Sequence, residues 1–257
     1  MKLIMGYGST QHSRYLDEKE EEHLDLIKQS LNSGYRFIDT AQCYGKAESL
    51  IGKAIKRLNR KSFCIISKFD ASRLNYTEII ETAKESYNKL NTYIDFFLIH
   101  YYSDEINLNE AFDALEKLKE MKIINEFGVS NFPKNKLEEA SKMSKISAVQ
   151  YEYSLRYQFN RDIIKFCKEN DITFFAHKPL NSGNLLDNES ILKLKPYAEK
   201  YNTDEASIAL MWVIKHGTIP IIGSLNKKHI ESNMNMNFNI SKEDMIKIGN
   251  EFKEFRR

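Results

Sequence analysis

Ile94-Asp95-Phe96-Phe97-Leu98-Ile99, closed by His100, is an almost unbroken apolar run of strand length. A strand with one wet face alternates apolar and polar residues, whereas a strand covered by helices on both faces reads as continuously apolar. The run therefore points to a parallel sheet packed between helices. Similar runs recur along the chain: Lys2 to Met5, Phe37-Ile38, Phe63 to Ser67, Phe127 to Val129, Ala148 to Gln150, Ile172 to Ala176 and Ile219 to Ile222.

Amphipathic stretches lie between these runs. Ala47, Leu50, Ile51, Ala54, Ile55 and Leu58 fall on one helical face, as do Ile80, Ala83, Tyr87 and Leu90. Leu24, Ile27 and Leu31 form another, ending before Gly34, a good helix stop. About eight strands alternating with about seven helical segments fit an α/β fold of the closed (β/α)8 type, a TIM barrel, better than a shorter open sheet. The doubly wound rival usually carries a GxGxxG turn after its first strand. Here Gly6-Tyr7-Gly8 runs on into Ser9-Thr10-Gln11.

No Pro/Gly/Ser-rich linker divides the chain, so one domain over residues 1–257 is expected. Ser182-Gly183 to Asn188 reads as a long loop after the seventh strand. Ser241-Lys242-Glu243-Asp244 has the look of a capping box opening a final helix, with Met245, Ile248, Phe252 and Phe255 as its buried stripe.

Composition narrows the function classes. The 38 basic and 36 acidic residues nearly cancel. Asp17 to Glu22 is an acidic run and Lys227-Lys228 a short basic one, with no concentrated basic stripe of the kind nucleic-acid binding requires. Three cysteines, Cys43, Cys64 and Cys167, show no CxxC spacing and cannot form a complete disulfide framework. The first residues lack the apolar stretch of a signal peptide, and no run approaches a membrane span. The expectation is a reduced, cytoplasmic protein with no membrane or nucleic-acid partner, as a monomer or small homo-oligomer.

Barrel active sites gather where strands end. The second run ends in Asp39, with Tyr44 soon after; the third ends in Lys68 and the fourth in His100. Reducing a carbonyl needs hydride on carbon and a proton on oxygen. A phenol of ordinary pKa, about 10, donates poorly near neutrality, and an adjacent ammonium would lower that value. Asp39 would keep Lys68 charged and oriented, and His100 would hydrogen-bond the substrate oxygen. Each residue alone has a plainer explanation as a cap, a packing tyrosine, a solvated lysine or a satisfied histidine. Their convergence on successive strand ends is what singles them out.

The segment Gly34 to Gly45, containing Phe37-Ile38-Asp39-Thr40-Ala41-Gln42-Cys43-Tyr44, followed by Glu48 and Gly52, resembles the signature of the aldo-keto reductases. Ile65-Ile66-Ser67-Lys68 and Asp95 to His100 are similar to that family's strands bearing the catalytic Lys and His. Phe127-Gly128-Val129-Ser130-Asn131-Phe132, Val149-Gln150, Pro179-Leu180 and Gly223-Ser224 to Asn233 resemble its cofactor-contact blocks. The resemblance spans nearly the whole chain in order. It implies NAD(P)H-dependent reduction of aldehydes or ketones to alcohols, without metal or flavin. Tyr44 is then the implied general acid, Lys68 its partner, Asp39 the partner of Lys68, and His100 the orienting group. Ser130, Asn131 and Gln150 are implied to hold the nicotinamide carboxamide. Further cofactor contacts are implied for Gly8, Ser9, Asp39, His177, Lys178, Leu180, Ser182, Gly223, Ser224, Lys228, His229 and Asn233.

The chain departs from the family pattern in several places. His177 stands where an aromatic residue usually stacks on nicotinamide, and Lys178 adds a charge beside it. His229 occupies the place of a common Arg. Lys227 and Lys228 suit a 2′-phosphate or a solvated helix start, and NADP(H) is expected over NAD(H). The family's N-terminal hairpin and long C-terminal substrate loop are not evident, which predicts a shallow, open pocket. Tyr7, Tyr101, Tyr102 and Tyr153 are candidates for its aromatic surface.

A nicotinamide-binding regulatory or redox-sensing subunit on the same fold is the competing reading, and a matched proton donor argues against it. A Schiff-base role for Lys68 is a third. Asp39 would keep that amine protonated and unreactive.

Overall fold

The computed structural model describes residues 3–8, 19–72 and 74–252. Ser9 and Phe255, assigned above to cofactor contact and to the final helix stripe, lie outside the described residues, as do Lys2, Asp17 and Glu18. The strands are β1 (Ile4–Gly6), β2 (Phe37–Asp39), β3 (Cys64–Phe69), β4 (Ile94–Ile99), β5 (Ile124–Ser130), β6 (Ala148–Glu152), β7 (Thr173–His177) and β8 (Ile219–Ile222). They neighbour one another in that order in a closed parallel barrel, the (β/α)8 fold expected from the alternation.

The backbone divides into two compact units, Ile4–Val149 and a second of Leu3 with the residues from Gln150 onward. In the first, α1 (Glu20–Asn32), α2 (Ala47–Ile55), α3 (Tyr76–Leu90), α4 (Leu108–Glu120) and α5 (Lys134–Met143) follow their strands in turn. Ile65 and Ile66, adjacent in β3, are both buried, as are Phe97, Leu98 and Ile99 in β4. This is the two-sided burial that continuous apolar runs require. Each such side chain contributes about 1.5–3 kcal/mol.

Asp95, the polar interruption of the opening run, is accounted for by its hydrogen bonds. One carboxylate oxygen accepts from Arg60 (2.5 Å) and from the Ile65 amide (2.7 Å), and the other from Asn125 (3.1 Å). Arg60 also donates to the carbonyls of Phe63 and Tyr93, so one half-buried ion pair ties the starts of β3, β4 and β5 together.

Two helical faces differ from expectation at their ends. Leu58 lies beyond α2 and is exposed. Tyr87 is exposed while Ile79 is buried, so the α3 stripe is rotated toward Ile79, Ile80, Ala83, Ser86 and Leu90. Gly52 of α2 is required by close packing: a Cβ there would lie 2.4 Å from the Lys89 carbonyl oxygen at the end of α3.

The second unit contains α6 (Arg161–Glu169), α7 (Asn188–Lys200), α8 (Glu205–Lys215), α9 (Lys227–Met234) and α10 (Lys242–Glu251). The connection from β7 to β8 thus carries two helices, α7 and α8, rather than one. The loop expected over Ser182 to Asn188 instead forms 3-10 turns over Asn181–Leu186, broken by left-handed Ser182 and Gly183, before α7 begins. Ser241 caps α10 by accepting from the Asp244 amide (3.1 Å). The Asp244 carboxylate accepts from Lys200 (2.7 Å) and Tyr201 (2.5 Å), so the expected capping box is only half formed. Trp212 is fully buried, with its indole N–H on the Met245 carbonyl (3.0 Å) and Tyr153 stacked on its ring at 5.5 Å. Tyr153 is therefore a core residue of this unit. No helix among the described residues is long and apolar enough to cross a membrane.

Candidate active site

The backbone ladder continues past the strand ends and shapes the site. The Thr40 amide donates to the Ile66 carbonyl (2.9 Å), the Gln42 amide to the Lys68 carbonyl (2.9 Å) and the His100 amide to the Phe69 carbonyl (2.8 Å). The first two bonds fold the β2–α2 turn over β3, and that turn carries Tyr44. Gly8, after β1, makes this packing possible. It has φ +83°, and a Cβ there would lie 2.8 Å from the Ala47 Cβ and 3.2 Å from the Tyr44 Cβ.

Lys68 is 1% exposed and Asp39 6%. The ammonium donates to both Asp39 carboxylate oxygens at 2.8 Å and to the Thr40 carbonyl at 2.6 Å. Three acceptors thus meet its three donors. The Tyr44 ring centroid lies 5.6 Å from the Lys68 Nζ. Burial pushes the Tyr44 phenol above its ordinary pKa, and the Asp39 charge adds to the rise. The direction is thus opposite to the lowering expected from Lys68, with burial the largest cause.

His100 follows β4 and is 5% exposed. Burial, helped by the Lys68 charge, pushes it down to about 4, so the imidazole is neutral at neutral pH. Tyr101 stacks on its ring at 4.3 Å, Tyr44 meets it edge-on at 5.9 Å, and Cys43 Sγ lies 3.6 Å from its Nδ1. The Asn131 side-chain amide donates to the His100 carbonyl (3.2 Å) and to the Ser130 hydroxyl (2.9 Å). Ser130, Asn131 and His100 therefore form one cluster.

Behind the site, the Ser67 hydroxyl donates to buried Glu48 (2.7 Å), tying the first turn of α2 to the residue before Lys68. Burial raises the Glu48 carboxyl above the usual range. Tyr101 is largely exposed beside His100, while Tyr102 packs edge-on against Phe132. Tyr7 is buried against His23, its hydroxyl without a hydrogen-bond partner among the described residues.

The predicted cofactor residues of the second unit occupy three places. Gln150 is buried in β6. His177, half-buried, ends β7, and its carbonyl accepts from the Tyr153 amide (3.2 Å). Lys178 is left-handed and pairs with Glu152 (3.2 Å), Leu180 accepts the Gly183 and Leu185 amides, and Ser182 is exposed. After β8, Gly223 is exposed, and the Ser224 hydroxyl accepts from the Asn226 amide (3.0 Å). Asn226 caps α9 by accepting from the Lys228 amide (2.9 Å), and its side chain meets His229 (3.4 Å). Lys227 and Lys228 are exposed and make no ion pair among the described residues, and Asn233 is buried.

Strand-end reasoning passes over Cys43 and Glu48, which sit in the turn and helix after β2 rather than closing a strand. The signal for both is proximity to Tyr44 in sequence.

Residues 2–250 match the model of the Aldo/keto reductase family. The chain is 33% identical over 237 residues to the glyoxal reductase of Bacillus subtilis, covering 90% of this chain and 84% of that protein. It is 32% identical over 235 residues to the methylglyoxal reductase DkgB of Escherichia coli O157:H7, covering 88% and 86%. An aldo/keto reductase from Klebsiella pneumoniae, solved with NADP and acetate, shares the fold with a TM-score of 0.86 at 23% identity, covering 97% of this chain and 90% of that one. The chain belongs to the aldo/keto reductase family and is an oxidoreductase.

Proposed function

We propose that the protein reduces small aldehydes or ketones, α-oxoaldehydes foremost, to alcohols with NADPH, its residues acting as one catalytic domain in the cytoplasm. The observation that carries this reading is the sealed Lys68–Asp39 pair beneath Tyr44, next to an imidazole held neutral. His100 orients the carbonyl by donating a hydrogen bond to its oxygen, and Tyr44 delivers the proton. Lys68, held by Asp39, adds positive charge below the site where alkoxide character develops. Resemblance to reductases of glyoxal and methylglyoxal supports compact dicarbonyls as substrates.

The donor set suits a nicotinamide dinucleotide. Ser130, Asn131 and Gln150 offer hydroxyl and amide groups for a carboxamide, and His177 offers a ring for stacking. Ser224 and His229 offer polar groups at a helix start, and Lys227 and Lys228 offer exposed cations with no ion pair among the described residues, a set suited to a 2′-phosphate. When bound, the cofactor supplies the hydride. The test is NADPH consumption with a panel of aldehydes including glyoxal and methylglyoxal. Turnover of Tyr44→Phe at the wild-type rate would refute the assigned proton donor.

A further inference from the structure

We infer that Cys43 is a positioning residue for the reduction, fixing through its thiol which ring nitrogen of His100 carries the proton and faces the substrate. This rests on the function proposed above, in which His100 donates to the carbonyl oxygen.

Two aromatic neighbours restrain the plane of the imidazole, Tyr101 stacked at 4.3 Å and Tyr44 edge-on at 5.9 Å. Neither chooses between the two nitrogens. A neutral imidazole has one N–H donor and one bare acceptor, and the hydrogen bond made by one nitrogen sets the role of the other. Among the described residues, the hydrogen-bond partner of the His100 ring is Cys43 Sγ, 3.6 Å from Nδ1, which is within reach for sulfur. A thiol S–H facing Nδ1 makes Nδ1 the acceptor. The proton then sits on Nε2, where the ring can donate to a carbonyl.

The protonation states agree with this geometry. Partial burial raises the Cys43 thiol against the opposing pull of Lys68, so the S–H form persists at neutral pH. His100 is neutral there too. The pair is a thiol hydrogen-bonded to an imidazole, not the thiolate–imidazolium pair of a nucleophilic cysteine. Cys43 is itself exposed, so replacing it leaves the core intact.

The test compares wild type, Cys43→Ala, Cys43→Val and Cys43→Ser by 15N NMR of histidine-labelled protein, with His100→Asn assigning the signal. Kinetics with methylglyoxal and NADPH run alongside. In wild type at neutral pH, His100 should show a protonated Nε2 and a bare Nδ1. Cys43→Ala and Cys43→Val, which lack a donor, should lose that uniform pattern. Their kcat should fall about three- to tenfold, the scale of one neutral hydrogen bond, with KM for NADPH unchanged. Cys43→Ser, whose hydroxyl also donates, should restore the pattern and most of the rate. The inference is overturned by an unchanged His100 spectrum in Cys43→Ala, by equal disturbance in Cys43→Ser, or by altered spectra with unaltered kcat. A wild-type protein inert toward every carbonyl would refute the proposed function, while the NMR comparison would still decide the role of Cys43.

Discussion

Lys68 Nζ sits 2.8 Å from both carboxylate oxygens of Asp39, in a site where both side chains are almost sealed from water. Charges so placed stabilise little as a pair, but removing one strands the other. Asp39→Asn and Lys68→Met should each lower unfolding stability by about 3–5 kcal/mol. The double variant should regain much of that loss while remaining inactive. Urea titration with parallel turnover assays separates the two effects. Additive losses in the double variant would contradict the pairing.

Tyr44 carries a phenol pushed above its ordinary value by burial and by Asp39. In the free enzyme it should therefore stay protonated through the neutral range and past its unperturbed pKa of about 10. Difference absorbance between wild type and Tyr44→Phe during alkaline titration reports it directly. Tyr44→Phe should fold normally, bind NADPH, and lose about 100- to 10,000-fold in kcat, the usual share of a general acid. Appearance of a Tyr44 phenolate near pH 8 would mean that Lys68 reaches the phenol after all.

His100, held down at about 4, makes stability depend on pH in a definite direction. Between that value and the unfolded value of about 6.5, the unfolded chain binds more protons than the folded one, so stability rises with pH. The contribution is fully present above about pH 6.5 and is lost as pH falls toward 4, on the order of 2–3 kcal/mol. His216 is lowered in the same direction by burial and adds to this limb. Urea midpoints at pH 7 and pH 4.5 should therefore differ less in His100→Gln than in wild type, and less again when His216→Asn is added. A pH dependence unmoved by His100→Gln would show that this imidazole is charged in the folded state.

Much of the fold was legible because strands buried on both faces leave continuous apolar runs, as Ile65-Ile66 and Phe97 to Ile99 do. Legibility failed where polar residues serve the barrel's lower edge. β5 begins at Ile124, before the apparent run, because Asn125 donates to Asp95 and Glu126 accepts from Lys119 and Ser147. The residues Asp39, Lys68 and His100 could be read from where the apolar runs end, although β3 itself continues one residue further, to Phe69. The Cys43–His100 contact and the Thr40 carbonyl on Lys68 could not, since both depend on how the β2–α2 turn folds over β3. Tyr153 was misplaced for a related reason: its sequence position does not say that Trp212 covers it.

Gly8 offers a way to disturb that turn without touching a reacting group. Its φ of +83° penalises any Cβ, and the Cβ would press on Ala47 at 2.8 Å and Tyr44 at 3.2 Å. Gly217 has a similar φ of +86° with nothing within 4 Å of the corresponding Cβ. Gly217→Ala should therefore show the backbone cost alone, about 1–2 kcal/mol, with kcat near wild type. Gly8→Ala should show that cost plus a contact that only movement of the β2–α2 turn relieves. Displacing Tyr44 by even a fraction of an ångström misaligns the proton donor, and misplacement of this kind can cost up to about 100-fold in rate. The contrast between the two alanine variants is read from kcat at matched stability, after a temperature series has confirmed that both are folded. Equal kcat in the two would mean that the turn carrying Tyr44 absorbs the added methyl without moving the phenol, and that Gly8 serves β1 alone.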